Sequence, residues 1–286
     1  MSPMRFVLTH DPQEVATRTE RLLQARLECN VFATVLMSVL DGVHRDPPPA
    51  FALGLAPDNE VSFAAMRTPP WPLLTTPLDG SPAEPFVDQW LEFDPDVSSV
   101  SGVPGTARAI AAAWSCATGG ASRARMSMAM HVLDQVDDPP RPARGALRSP
   151  ESDERDLLVR WWEEFASEAG MPGATQAGAT VDARLRQEGL LVWDDEQPVS
   201  MIGLNPPVAG VVRIGPVYTP PQLRRRGYAG SAVAACSRRA LAGGAARCML
   251  FTDLANPTSN KIYAEVGYRR TGEWEEIALE PAQPSS

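Results

Sequence analysis

Histidine and cysteine are scarce in this chain: of 286 residues only three are histidine and four are cysteine. No histidine follows His131, so a Ser-His-Asp relay or a histidine-rich metal site would have to draw on the first half. No metal site is expected. The cysteines (Cys29, Cys116, Cys236, Cys248) show neither C-x-x-C spacing nor the density of a disulfide framework, which reads as a reduced, cytoplasmic protein. Met1–Glu14 is acidic where a signal peptide needs an apolar run, and no stretch approaches ~18 uninterrupted apolar residues, so no membrane partner is expected. The phosphate-loop pattern G-x-x-x-x-G-K-[ST] is missing, and so is G-x-G-x-x-G after a strand. Positive charge is in deficit: a net charge of −9 argues against a nucleic-acid binder that works by neutralising phosphates. The acidic balance suits a cationic substrate such as an amine, although solubility alone also accounts for it.

What is present is enough apolar material for a full core, 44% of residues, in a chain long enough for two domains. The first runs over 1–136, with strands expected at Met4–Thr9, Phe51–Leu55, Val61–Arg67, Trp71–Thr76 and Ala124–Leu133. Helices are expected there at Pro12–Leu27, Val31–Leu40, Pro85–Phe93 and Ala107–Ala117. The stiff segment Asp137–Pro142 reads as a linker. The second domain, 145–280, repeats the order: a strand at Ala146–Arg148, helices at Asp153–Ala169 and Val181–Gln187, then three strands near 190–194, 198–204 and 209–219. A helix at Tyr228–Ala242, a strand at Cys248–Thr252, a helix at Pro257–Val266 and a last strand at Arg269–Leu279 complete it, and Pro281–Ser286 should fray. The shared order suggests an internal duplication. In the first half, Val100–Arg108 is taken as the counterpart of the arginine-glycine loop described next, and it lacks the basic cluster.

That loop lies in Arg213–Val233, read as strand, short loop and helix start. Backbone amides from Arg225 to Gly230, at a positive helix end, suit a pyrophosphate. Arg224, Arg225 and Arg226 add charge, while Gly227 and Ala229 keep side chains clear. Ala229, Ala232, Val233, Cys236 and Ala240 form one apolar stripe of small residues against a sheet. Pro216 removes a ladder donor, so the strand should not be fully paired on both sides near 216–219. Either an extended ligand pairs there or Pro216 marks an edge or bulge. In Asn256–Tyr268, Asn256 is a good N-cap, Pro257 a good first residue and Gly267 a good stop. Asn256, Ser259 and Tyr263 share a face. Tyr263 is either a proton donor or a packing residue. Trp161, Trp162 and Trp193 line an amine pocket or, more ordinarily, pack in the core.

These two segments resemble the GNAT superfamily of N-acetyltransferases. Arg224-x-x-Gly227-x-Ala229 matches its Q/R-x-x-G-x-G/A signature, and Asn256, Tyr263 and Gly267-Tyr268 match its second element. Ser259 stands where alanine is usual, and Arg225 where glycine is common. The resemblance implies an α+β fold, a mixed, mostly antiparallel sheet flanked by helices (the acyl-CoA N-acyltransferase fold), as two modules in tandem with a degenerate first one. It further implies one acetyl-CoA site. There, the backbone of Val217, Tyr218 and Thr219 pairs with the pantetheine arm, and residues 224–230, Tyr228 included, surround the pyrophosphate. Asn256 and Ser259 line the arm, and Tyr263 protonates the departing thiolate. The implied reaction is direct acetyl transfer to a primary amine of a small molecule, aminoacyl compound or peptide. Asp253, Glu164 and Glu168 stay open as general base. A non-catalytic acyl-CoA binder or sensor is the alternative, and pairing of two chains into a homodimer stays open.

Overall fold

The computed structural model describes residues 4–44, 46–80, 82–171 and 177–282. The chain divides into two compact units, one formed by residues up to Met128 together with those from Glu273 onward, the other by Ala129–Gly272.

Unit 1 contains β1 (Arg5–Thr9), α1 (Pro12–Ala25), α2 (Asn30–Leu40), β2 (Ala50–Leu55), β3 (Val61–Arg67), β4 (Leu73–Thr75), α3 (Glu84–Phe93), β5 (Ser99–Gly102) and α4 (Pro104–Thr118). The strand β6 (Ala121–Leu133) begins here. Asp11 caps α1 by accepting from the Gln13 and Glu14 amides, and the helix ends two residues short of Leu27 in a 3-10 turn, Leu27–Cys29. The sheet order is β1-β2-β3-β4-β5, then the end of a strand β12 (Arg269–Glu280), then β6. Phe6, Phe63, Phe86 and Trp90 centre its core.

Unit 2 contains β7 (Ala146–Arg148), α5 (Arg155–Glu168), α6 (Ala177–Arg186), β8 (Leu190–Asp194), β9 (Pro198–Leu204), β10 (Val211–Tyr218), α7 (Tyr228–Ala242), β11 (Arg247–Asp253) and α8 (Pro257–Val266). Its sheet order is β7-β8-β9-β10-β11, then the end of β6, then the start of β12. The ladders β7·β8, β8·β9 and β9·β10 are antiparallel, and β10·β11 is parallel. Alternation along β8 separates two cores: Leu191 and Trp193 pack with α7, whereas Leu190 and Val192 pack with α5 and α6. Helices therefore cover both faces of this sheet.

The expected boundaries 1–136 and 145–280 differ from this division at two places. The end of β6 pairs beside β11, and Glu275–Ala278 of β12 pair with β5, so the last strand of each half completes the sheet of the other unit. Asp137–Pro142, expected to be a linker, lies in unit 2 as a strap over α7 and α8. Asp137 N–H donates to Val266 O, Arg238 pairs with Asp138, and Ala143 N–H donates to Ser231 Oγ at 2.8 Å. The counterpart of the arginine-glycine loop also moves. The repeated order places Thr76–Ala83, between β4 and α3, opposite the β10–α7 loop, and Val100–Gly102 belongs to β5. The sequence 99–102 is a four-residue strand that carries Gly102 and is followed two residues on by Pro104, which is why it reads as loop. The expected fraying of 281–286 falls on residues of which 283–286 lie outside the described residues.

Candidate functional site

The site is assembled where β10 leaves β11. Their parallel pairing covers only Val211↔Arg247, Val212↔Cys248 and Arg213↔Met249. From Ile214 onward β10 continues without that neighbour, and against β9 its register shifts between Ile214 and Val217. Pro216 sits inside this bulge, as the missing ladder donor requires. The result is a split between the ends of two adjacent strands, with backbone of Ile214–Tyr218 facing it.

Beyond the split, the chain turns into α7. Arg225 and Gly227 both take the left-handed conformation (φ 66° and 85°), and Gly227 is the N-cap without a side-chain cap. The first helical bond closes from Ser231 N to Gly227 O. Among the described residues, the amides of Arg225 through Gly230 donate no hydrogen bond. Those donors stand at the positive end of a fifteen-residue helix, an arrangement that suits an anion. The helix start is pinned from several sides. Tyr228 Oη donates to Asp195 Oδ2 at 2.6 Å, and a Cβ on Gly227 would come within 2.8 Å of the Arg141 carbonyl. Within α7, Ala232, Val233, Cys236 and Ala240 are buried as the stripe requires, and Ala229 is half-buried.

The three arginines differ. Arg225 and Arg226 are exposed. Arg224 is turned toward α5: it holds both carboxylate oxygens of Glu168 at 2.7 and 2.8 Å, donates to Thr219 O, and lies over the Tyr218 ring. The side chains of Tyr218 and Thr219 also point into protein contacts. Tyr218 Oη donates to Glu164 Oε2 at 2.7 Å, and Thr219 Oγ1 lies 2.9 Å from Ser200 Oγ, which itself donates to Tyr218 O. What this stretch offers a ligand is therefore backbone, with the Tyr218 carbonyl already taken by Ser200 and the Thr219 carbonyl by Arg224.

On α8, Asn256 caps the helix by accepting from Ser259 N at 3.1 Å, and Gly267 ends it at φ 104°. Tyr263 packs against the unit 2 core, its ring edge-on to Tyr268 with centroids 6.1 Å apart. Its hydroxyl has no partner among the described residues. Burial pushes it up to about 12, so it keeps its proton at neutral pH. Of the carboxylates considered as bases, Glu168 is held by Arg224, Asp253 caps the Ala255 amide, and Glu164 touches β10 through Tyr218. Cys236 and Cys248 are buried, and burial raises their thiols to about 12 and about 11, consistent with packing. Trp161 and Trp193 are core residues, the latter donating Nε1–H to Arg144 O, while Trp162 lies beneath Arg184.

Sequence reasoning misses Arg184 and Arg213. Arg184 on α6 donates to Gly215 O at 3.3 Å and reaches Asn205 Oδ1 at 3.5 Å, close enough to Arg213 on β10 to be repelled by it. The signal available is a charge, Arg213, inside the otherwise apolar strand VVRIGPVY.

Residues 153–268 match the model of the Acetyltransferase (GNAT) family and form a domain of that family, whose chemistry is acyl transfer. Three solved structures share the architecture. An acetyltransferase from the GNAT family of Colwellia psychrerythraea is 10% identical, with a TM-score of 0.61, covering 97% of this chain and 100% of its own. A GCN5-related N-acetyltransferase from Sphaerobacter thermophilus is 15% identical, with a TM-score of 0.58 over 100% and 98%. A tandem GNAT protein from the clavulanic acid biosynthesis pathway is 12% identical, with a TM-score of 0.57 over 99% and 100%. At such identities the likeness shows the fold, which is the acyl-CoA N-acyltransferase fold expected from the sequence. No curated protein matches the chain. No helix among the described residues is long and apolar enough to cross a membrane.

Proposed function

We propose that unit 2 binds acetyl-CoA and transfers its acetyl group directly to a primary amine, and that unit 1, as a degenerate module, carries no second cofactor site. The observation that supports this most is the split between β10 and β11 directly ahead of the unbonded amides of Arg225–Gly230. A diphosphate fits those amides, since Gly227, Ala229 and Gly230 place no bulky side chain there. An extended amide-bearing arm would pair with the backbone groups of Val217–Thr219 that the Ser200 and Arg224 hydrogen bonds leave free, with Asn256 and Ser259 on its far side. Acetyl-CoA supplies the acyl group as a thioester. The backbone N–H near Val217 polarises the carbonyl, the amine nitrogen forms the new C–N bond as the C–S bond breaks, and Tyr263 gives its proton to sulfur. The amine proton leaves through water toward Glu164, the carboxylate tied to β10 by Tyr218.

Calorimetry with CoA tests the binding half: micromolar affinity at one equivalent per chain is expected, and no heat would sink it. Release of CoA thiol over a panel of amines tests the chemistry. Tyr263→Phe should lower kcat by roughly a hundredfold or more while CoA still binds. Binding without turnover on any amine would instead make the protein an acyl-CoA sensor, with Tyr263 a packing residue against Tyr268.

A further inference from the structure

The face of the unit 2 sheet opposite α7 holds a feature that acetyl-CoA binding does not use. α7 and its amides lie on one face, with Val212 and Ile214 of β10. α5 and α6 cover the other, and alternation turns Arg213 toward them. There the guanidinium of Arg184 lies over the Trp162 ring, 5.2 Å from its centroid, and against the Gly215 carbonyl. Gly203 leaves the space: a Cβ there would come within 2.9 Å of Arg184 Nη1. Burial, and then repulsion from Arg213, push Arg184 down to about 9, and burial pushes Arg213 down to about 10. Arg184 forms no ion pair among the described residues, and its two polar contacts are long ones to neutral oxygens. A buried guanidinium carries five donors in a fork that fits a carboxylate, and leaving them on distant neutral acceptors is costly. Gly215 lies two residues before Val217, so the cation sits beside the bulge of β10, next to Gly203 of β9 and on the face covered by α5 and α6.

We propose that Arg184, with Arg213 beside it, holds a carboxylate of the acceptor, so that the substrate is an amine that also bears a carboxylate group. This rests on the acetyl-transfer reading of the same site. In it the carboxylate docks between α6 and β10, and the amine is left facing the split. Trp162 supports the guanidinium plane, and Asn205 holds its far edge.

The test uses the full chain and pairs of acceptors that differ only in carboxylate versus primary amide, namely an α-amino acid and its amide. The parent should favour the acid in kcat/KM by about tenfold or more, the size expected of a charge-assisted pair of hydrogen bonds. Arg184→Gln should collapse that preference, chiefly through the KM of the acid, and Arg184→Lys should restore part of it. Equal use of acid and amide by the parent, or an equal loss on both in Arg184→Gln, would overturn the proposal. A second measurement depends on neither turnover nor CoA: calorimetric titration of the parent with the N-acetyl amino acid and its amide. Selective binding of the acid supports the carboxylate site even if CoA fails to bind, in which case only the acetyl-transfer reading falls. Equal or absent binding of the acid rejects the site, even if Arg184→Gln proves unfolded and CoA binds well.

Discussion

At the start of α7 the chain places Arg225, Gly227 and a row of unbonded amides; at the start of α3, the matching helix of unit 1, it places Ala83, Glu84 and Pro85. A carboxylate and a residue without N–H in the first turn repel and deprive an anion where the other unit attracts one. The strands ahead of these helices differ in the same sense. β10 opens away from β11, whereas in unit 1 the matching gap is bridged. Thr75 Oγ1 donates to Ser101 O at 3.3 Å, and the Leu78 amide donates to Thr106 Oγ1 at 2.8 Å. Counting from the first proline of α4 and α8, Thr106 stands for Ser259 and Ile110 for Tyr263. Ile110 is 2% exposed and borders an apolar void of about 10 Å³, too small for more than a water. One arrangement of ten elements thus gives a bridged gap in unit 1 and, in unit 2, a split where β10 parts from β11. The change lies in residues at the strand ends and helix starts, not in topology.

The largest difference to expect is at alkaline pH. All four tyrosines (Tyr218, Tyr228, Tyr263, Tyr268) belong to unit 2, and all are raised: Tyr218, Tyr263 and Tyr268 by burial first, Tyr228 by its hydrogen bond to Asp195 first. A folded value above the unfolded 10.0 means that the unfolded chain releases its protons first. The tyrosine contribution to stability is therefore intact below pH 10.0 and falls as pH rises toward about 12, the value of Tyr263, whereas the lowered values of Arg184 and Arg213 act in the opposite sense over the same range. Unit 1 has one comparable group, Cys29, pushed up to about 12 by burial. Tyrosinate absorbance should stay low until structure is lost and then rise for all four together, with amides of unit 2 losing exchange protection before those of unit 1. Smooth titration of two or more tyrosines in folded protein near pH 10.0 would break the contrast.

Next in size is the pair of matched helix positions. Ile110→Ala should destabilise by about 2–5 kcal/mol, because a buried core side chain is cut back, and should leave CoA affinity alone. Tyr263→Phe removes a hydroxyl with no partner among the described residues, so its effect on unfolding should stay within about 0.5 kcal/mol while turnover falls. Denaturant melts of both variants, with CoA titrations, check this. A large stability loss in Tyr263→Phe would mean that the hydroxyl is structural and that the two units differ less than the strand split suggests.

Much of this is legible in the residues alone because it rests on local rules. Asn256, Pro257 and Gly267 fix both ends of α8, and the small stripe of α7 announces a helix lying close to a sheet. Pro216 marks the bulge. What escapes depends on partners distant in sequence. The exchange of β6 and β12 between units follows from which edges pair, and nothing in the residues of either strand says so. Arg224 promises charge for a phosphate, yet the nearby Glu168 of α5 claims it. Arg184 looks like one more solvated arginine at a helix end; only the fold sets it on Gly203 and Trp162.

Gly227→Ala is the mildest way to sharpen the comparison. At φ 85° any Cβ costs about 1–2 kcal/mol, and here it would also meet the Arg141 carbonyl at 2.8 Å. The strap or the turn must then shift, and the amides from Arg225 to Gly230 shift with it, because Gly227 is their N-cap. A Tm drop of a few degrees is expected for this cost. CoA affinity should fall further than stability does, since aligned donors lose strength steeply once misdirected. Gly80→Ala, in the matching loop of unit 1, shares the left-handed conformation (φ 64°) but would meet nothing within 4 Å. It should cost a similar backbone strain with no change in CoA binding. Should the two variants weaken CoA equally, the diphosphate is not held at the start of α7, and the difference between the units has been placed in the wrong loop.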